Sequence, residues 1–367
     1  MDKHVQPTYI SRKPQYPNAS MYLLLSFLSG VLETGAVTSG VKSVGLTLGI
    51  AFAFAYQVGC LVRNPLGLSL RGAFYLLFCT LPFLFVLLSG QQIVWALIIL
   101  TALTSGSIQS SRDHLQPKQP PIAEKTKRLI RVSGFICGIM CGYFLGFVLI
   151  PCLISVSVII YMVTPSSQKS ISEIFHFNSS CRMNRHGLIM MIHQIHYFAY
   201  AYVLLGTLLL TKPIRNPGDD INVPVMASIC FAFGWLTYIS GKFILKRVMK
   251  LTPRTSVLLG HAWVACCLLC MYLYPNRLEI VVLAWVLGGF GGGSVYAITE
   301  LADNAVNKES IELWENLGHV AGVSLSMITL SIFPYQYEFA YGLAMVAALV
   351  TLILAGYFNC ILEPRRS

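Results

Sequence analysis

Charge is what this sequence has least of. Of 367 residues only 11% are Asp, Glu, Lys or Arg, and just 15 of those are acidic. Soluble domains carry about 25% charged residues, so a water-exposed globular fold is excluded. Also missing are a polar stretch long enough for a separate soluble domain, a CxxC metal pattern and a disulfide framework. The 11 cysteines lie mostly within apolar runs (Cys79, Cys137, Cys141, Cys230, Cys266, Cys267, Cys270), where they act as small apolar side chains. Residues 1–20 contain Lys3, Arg12, Lys13 and three prolines but no apolar core, so no cleavable signal peptide is expected. The period-two alternation of a membrane β-barrel is absent as well.

What the sequence has in abundance is apolar length. It is 55% hydrophobic with a mean hydropathy of +0.66, gathered into runs of about 20 residues, one bilayer crossing each as a helix. Twelve spans are expected: 20–38, 42–62, 71–89, 92–111, 129–147, 148–164, 187–210, 223–245, 256–274, 278–298, 317–334 and 338–361. The near-continuous run 134–163 is divided at Pro151, because about 30 residues exceed one crossing and proline interrupts a helix.

Charge placement tests that division. With both termini cytoplasmic, 22 of the 26 Lys and Arg fall on the inner side, leaving Lys42, Lys212, Arg215 and Arg277 outside. The bias holds in both halves only if an even number of spans precedes His193. The net charge of +11 therefore reports topology, and no nucleic-acid partner is implied. The expected layout is a tail (1–19), a six-helix half (20–164), a polar cytoplasmic linker (165–186), a second six-helix half (187–361) and a short tail (362–367). The linker is rich in Ser and Asn.

Two loops echo each other at matching positions. Residues 59–71 open with Gly59, contain Arg63 and end in Arg71; residues 241–254 open with Gly241, contain Lys246, Arg247 and Lys250, and end in Arg254. Such an echo points to a duplicated unit. With twelve spans, the six-plus-six division and these loops, the chain resembles the major facilitator superfamily of secondary transporters over nearly its whole length. The loops look like degraded versions of the family signature between spans two and three, with Gly59, Arg63 and Arg71 at its Gly and Arg positions and its Asp missing. The resemblance implies an all-α polytopic membrane protein working by alternating access, with spans one, four, seven and ten facing a central cavity.

The seventh span carries the least ordinary residues. His193, His196, Tyr197 and Tyr200 share an arc of roughly 100°, and ionisable groups inside a membrane helix usually mark a pathway. That wall is expected to line water. Span one supplies Glu33, span ten Trp285 and Tyr296, and span four Thr101, Thr104 and Gln109. Glu33 with His193 or His196 is the expected proton-coupling set, since histidine titrates near neutral pH. A His pair at i, i+3 can chelate, but no Cys or acid at ligand spacing in that segment completes a tetrahedron, so neither a metal nor a cofactor is expected. His261 and His319 are read as satisfied interior histidines.

Gly288 to Gly293 lies inside an apolar span and is not a phosphate loop; it is expected to allow close helix approach or a bend. Gly134, Gly138, Gly142 and Gly146 form a small-residue stripe for another close contact. Glu300 and Asp303 lie in an acidic inner loop and are expected to pair with Arg63, Arg71 or Arg254 as a cytoplasmic gate. Trp314 fits an interfacial anchor. Together these features favour a proton-coupled transporter, not an enzyme, in a bacterial inner membrane. The expected solute is small, polar or anionic, metal-chelating or siderophore-like, with export favoured. The alternatives are an uncoupled facilitator or importer, and a metal-binding membrane protein or membrane enzyme using the His193/His196 pair.

Overall fold

The computed structural model describes residues 17–62, 91–115, 124–163, 185–210, 222–245, 249–297, 305–334 and 336–357. Among these, twelve α-helical segments are present: α1 (Pro17–Val44), α2 (Leu46–Val62), α3 (Gln91–Leu115), α4 (Glu124–Leu145), α5 (Leu149–Val163), α6 (Arg185–Phe198), α7 (Ala201–Leu210), α8 (Asn222–Phe243), α9 (Pro253–Leu273), α10 (Leu278–Gly292), α11 (Ala305–Ile332) and α12 (Glu338–Tyr357). Hydrocarbon offers no partner to a free N–H or C=O, so apolar stretches of this length close their bonds within a helix. Buried hydroxyls do likewise: Thr34, Thr38, Ser39, Thr101 and Thr104 each donate to the carbonyl four residues back. The radial pattern is that of a membrane protein. Ile353, Ile332, Ile99 and Leu283 point outward, whereas Glu33, Thr34, Gln57, His193, His196 and His261 are buried.

Residues 124–163 form two helices, but the break between them is not at Pro151. It falls at a single 3-10 turn, Gly146–Val148, where Gly146 takes φ +55°, a conformation glycine adopts without steric cost. Ser39 of α1 donates to the Gly146 carbonyl at 2.8 Å. Leu149, three residues on, is already back against Gly35, beside Gly138 and Gly142; the chain has reversed along α1. Pro151 sits in the first turn of α5, where its missing N–H leaves no bond unmade.

The packing repeats. α1 lies along α4 as α6 lies along α11, and α2 lies on α3 as α8 lies on α10. Between the two sets, α2 meets α11, α4 meets α8 and α1 meets α7. The α1–α4 contact is the small-residue stripe: a Cβ on Gly134 would overlap the Phe27 carbonyl oxygen, and one on Gly30 the Arg131 carbonyl. Gly134→Ala is thus expected to lower the thermal-unfolding midpoint in detergent, with an overpacking cost of about 1–3 kcal/mol, while lipid-facing Ile136→Val leaves it in place. An unchanged midpoint for Gly134→Ala would mean that the two helices are not in contact there.

Candidate functional site

The glycine run of α10 clears the space for the first polar cluster. Gly289 and Gly293 abut α8, while Gly291 abuts Gly260 of α9, so α8 and α9 close on α10 from two sides. A Cβ on Gly292 would lie 3.1 Å from the Tyr238 ring and 3.9 Å from His193 Cε1. Into that gap α6 projects His193 and His196, a turn before it loosens at Ala199 and Tyr200 and resumes as α7. α9 contributes His261 and α8 contributes Tyr238. All three imidazoles are fully buried.

Their bonds fix the tautomers of neutral rings. The Val257 carbonyl only accepts, so His261 Nδ1–H donates to it (2.8 Å), leaving His261 Nε2 as an acceptor. His193 Nδ1–H donates to that nitrogen at 2.8 Å. His193 Nε2 then accepts from the Tyr238 hydroxyl at 2.7 Å. His196 differs: neither ring nitrogen has a hydrogen-bond partner, although the His193 carbonyl one turn back acts on it weakly. Two neighbouring donors, Tyr197 Oη and Trp235 Nε1, are buried and unpartnered too. Aromatic rings enclose the cluster: Tyr197 packs on Tyr238 (4.8 Å between centroids), Trp235 (5.0 Å) and Trp285 (5.4 Å). Tyr200 lies 5.5 Å from Trp285, whose indole donates to the Cys230 carbonyl at 3.0 Å.

A second cluster carries charge. Glu33, 1% exposed, receives Arg131 Nη2 at 2.6 Å, the Tyr202 hydroxyl at 2.6 Å and Gln57 Nε2 at 3.5 Å. Gln57 also donates to the Tyr202 oxygen at 2.9 Å. Arg131 comes from α4, Gln57 from α2 and Tyr202 from α7, so one carboxylate ties three helices to α1. The Arg131 side chain keeps 31% of its exposure. It lies on the face of α4 opposite Leu129, Ser133 and Ile136, the exposed side. Its Nε has no partner. His319 of α11 packs on Phe198, with ring centroids 4.1 Å apart and the planes tilted by 44°. Nearby, Gln194 donates to Glu315 at 3.0 Å, as does Tyr296 at 3.3 Å, and Arg128 lies 3.8 Å over the Tyr296 ring, reaching from α4 to the end of α10.

The sequence-predicted residues thus divide. Glu33, His193, His196, Tyr197, Tyr200 and Trp285 are all buried in the bundle and Tyr296 is half-buried, but Glu33 belongs to the charged cluster and makes no hydrogen bond to either histidine. The histidine wall, expected to line water, is fully buried in this conformation, whereas the Arg131 side chain is partly exposed. Thr101 and Thr104 satisfy their own helix. Of the expected gate, Arg63, Arg71, Glu300 and Asp303 lie outside the described residues, while Arg254 donates to the Gly356 carbonyl of α12 at 3.4 Å. Sequence reasoning missed Arg131, Gln57, Tyr202 and Tyr238, and read His261 as an isolated interior histidine. Arg131 carried no signal of its own, standing among Lys125, Lys127 and Arg128 near a helix start.

No family and no curated protein matches the sequence. Solved structures match it through their fold. A peptide transporter POT in complex with sulfate superposes with a TM-score of 0.66 at 11% identity, over 95% of this chain and 96% of that one. The nucleoside transporter NupG gives 0.63 at 11% identity, over 95% and 100%. A bacterial homologue of the iron transporter ferroportin, in an outward-facing state, gives 0.55 at 10% identity, over 94% and 99%. At such identities the likeness is one of fold: the described residues form a polytopic, all-helical membrane fold like that of these transporters.

Proposed function

We propose that this chain is a secondary transporter that moves a small polar or anionic solute by alternating access between two six-helix units, 20–164 and 187–361, with both termini cytoplasmic. The observation that carries the reading is Glu33, a buried carboxylate held by Arg131 from its own unit and by Tyr202 from the other. Breaking and remaking that junction changes how the units meet. The solutes of the structural neighbours differ, including nucleosides, peptides, xylose and iron, so they select none; the internal charges do. Arg128 and Arg131 lie near Glu33 and Glu315, and the buried Nε of Arg131 has no hydrogen-bond partner.

Proton coupling follows from competition at Arg131. While Glu33 is ionised it occupies the guanidinium. Once Glu33 takes a proton, Arg131 is left with its charge and donors for an anion, so proton and anion enter together. This favours co-transport in the direction of the proton gradient, the reverse of the export favoured by the sequence alone. The gate of Arg63, Arg71 and Arg254 with Glu300 and Asp303 remains part of the proposal for the cytoplasmic end.

The test is flux in proteoliposomes with an imposed pH gradient and an internal pH-sensitive dye. The panel comprises phosphate, sulfate, small mono-, di- and tricarboxylates, and carboxylate chelates of iron and zinc. One class is expected to dissipate the gradient in the unsubstituted protein. Glu33→Gln is expected to leave solute exchange but abolish the proton movement that accompanies it. If Glu33→Gln couples as well as the unsubstituted protein, proton coupling through this carboxylate is wrong. Flux indifferent to the gradient would select the uncoupled facilitator.

A further inference from the structure

We propose that His193, His196 and His261 form a binding site for a divalent transition-metal cation of the zinc, cobalt or nickel kind. Among the described residues these three are the one group of His, Cys, Asp or Glu placed to hold an ion, each offering a ligand atom within 4.8 Å of the others. The inference stands on this geometry and does not depend on the transport reading above.

The donor set selects the metal class. Three neutral imidazoles and no carboxylate suit borderline transition metals, whereas calcium and magnesium require oxygen. Each ring is prepared differently. His261 is a ready ligand: its Nδ1–H is anchored on the Val257 carbonyl, which aims the Nε2 lone pair at the cluster, the outer-sphere arrangement typical of metal-bound histidine. His193 shares one proton with His261 across 2.8 Å. Tyr238, on the far nitrogen at 2.7 Å, has a hydroxyl that donates or accepts. Moving the His193 proton to Nε2, where Tyr238 then accepts it, frees Nδ1 for the cation without ionising any group.

His196 is the independent observation. It is fully buried and both of its nitrogens lack a partner, an arrangement that costs roughly 1–3 kcal/mol per unmade bond. A metal bond supplies that partner. Ligand nitrogens around a tetrahedral ion at about 2.0–2.1 Å lie roughly 3.4 Å apart. The His193–His261 pair must therefore part slightly and His196 draw in, movements of side chains alone. Three protein ligands leave a fourth position open, to water or to a donor atom of a solute. With no carboxylate on the imidazoles, the cation keeps its full charge in the bundle, which suits reversible occupancy better than permanent retention.

The experiment uses the full-length protein in detergent with its affinity tag removed, stripped with chelator and dialysed against Zn²⁺ or Co²⁺. Metal content is read by elemental analysis and coordination by the visible absorption of bound Co²⁺. One equivalent is expected, with the intense bands of four- or five-coordinate nitrogen ligation. His196→Ala and His261→Gln are expected each to weaken binding by at least about tenfold, while His186→Ala, at the start of α6, leaves it unchanged. Stoichiometric binding that survives His261→Gln would overturn the proposal. So would the absence of binding, or weak octahedral bands, in the unsubstituted protein, a result that needs no variant to fold. No outcome bears on flux through Glu33 and Arg131, so the two readings fail separately.

Discussion

Arg131→Met is expected to destabilise the folded chain by about 3 kcal/mol, near the lower end for removing one partner of a buried pair, and adding Glu33→Gln is expected to return most of that loss. The two partners are not equivalent. Glu33 is almost wholly enclosed, whereas the Arg131 side chain retains 31% of its exposure. Without Arg131 the carboxylate keeps only Tyr202 and Gln57, and a charge in a dry interior with two neutral donors is the costly case. Without the Glu33 charge, the partly exposed Arg131 side chain is the less costly group to leave without its partner. The expected order of thermal midpoints in detergent is therefore unsubstituted, then Glu33→Gln and the double variant close together, then Arg131→Met lowest. Losses that simply add in the double variant would show that the pair is not coupled.

Why this junction was half legible is a matter of what sequence spacing encodes. Glu33 stands out because a carboxylate in the middle of an apolar run has few reasons to be there. Arg131 does not, because it sits near a helix start in a cluster with Lys125, Lys127 and Arg128, and there it counts as one more cytoplasmic charge. What draws it inward is the missing side chain at Gly30: with no Cβ there, the α4 backbone at Arg131 comes against α1, and the guanidinium reaches Glu33 across a separation of 98 residues. The glycine stripe and the carboxylate were each visible; that one delivers a cation to the other was not.

The histidine wall shows the same limit. Periodicity placed His193, His196, Tyr197 and Tyr200 on one face, and that face is buried. Periodicity within one helix says nothing of the facing helices, so His261 and Tyr238, 68 and 45 residues away in sequence, could not be paired with it. The run Gly288 to Gly293 held the missing information. Its glycines let α8 and α9 approach α10 closely enough to bring Tyr238 and His261 onto His193. The turn at Gly146, in place of Pro151, has a related cause: a proline in the first turn of a helix is no break at all, and it is the residue able to take positive φ that reverses the chain.

Alternating access makes a demand on the opposite end of the bundle. There Gly206 of α7 lies so close to α2 that a Cβ on it would overlap Leu46 Cδ1, with Leu46 Cγ 3.5 Å away and Val41 Cγ2 of α1 also at 3.5 Å. Leu46→Cys removes the overlapping atoms, and Gly206→Cys then presents its sulfur within one bond of the reach of a disulfide, whose Cβ atoms stand about 3.5–4.5 Å apart. A bridge here ties the two units together at the end remote from Arg131 and holds the conformation described above. Oxidising the double variant in proteoliposomes is expected to abolish solute flux, and reducing agent to restore it, with each single-cysteine variant indifferent to both treatments. The effect is large because the units must part at this contact for solute to leave, and a covalently fixed end cannot open. Full flux through protein whose bridge is verified by mass would mean that this contact does not open in the cycle. Solute would then leave by a path that keeps α2 and α7 together, and Tyr202, one turn before Gly206, would hold Glu33 throughout, leaving Arg131 alone to respond to the proton.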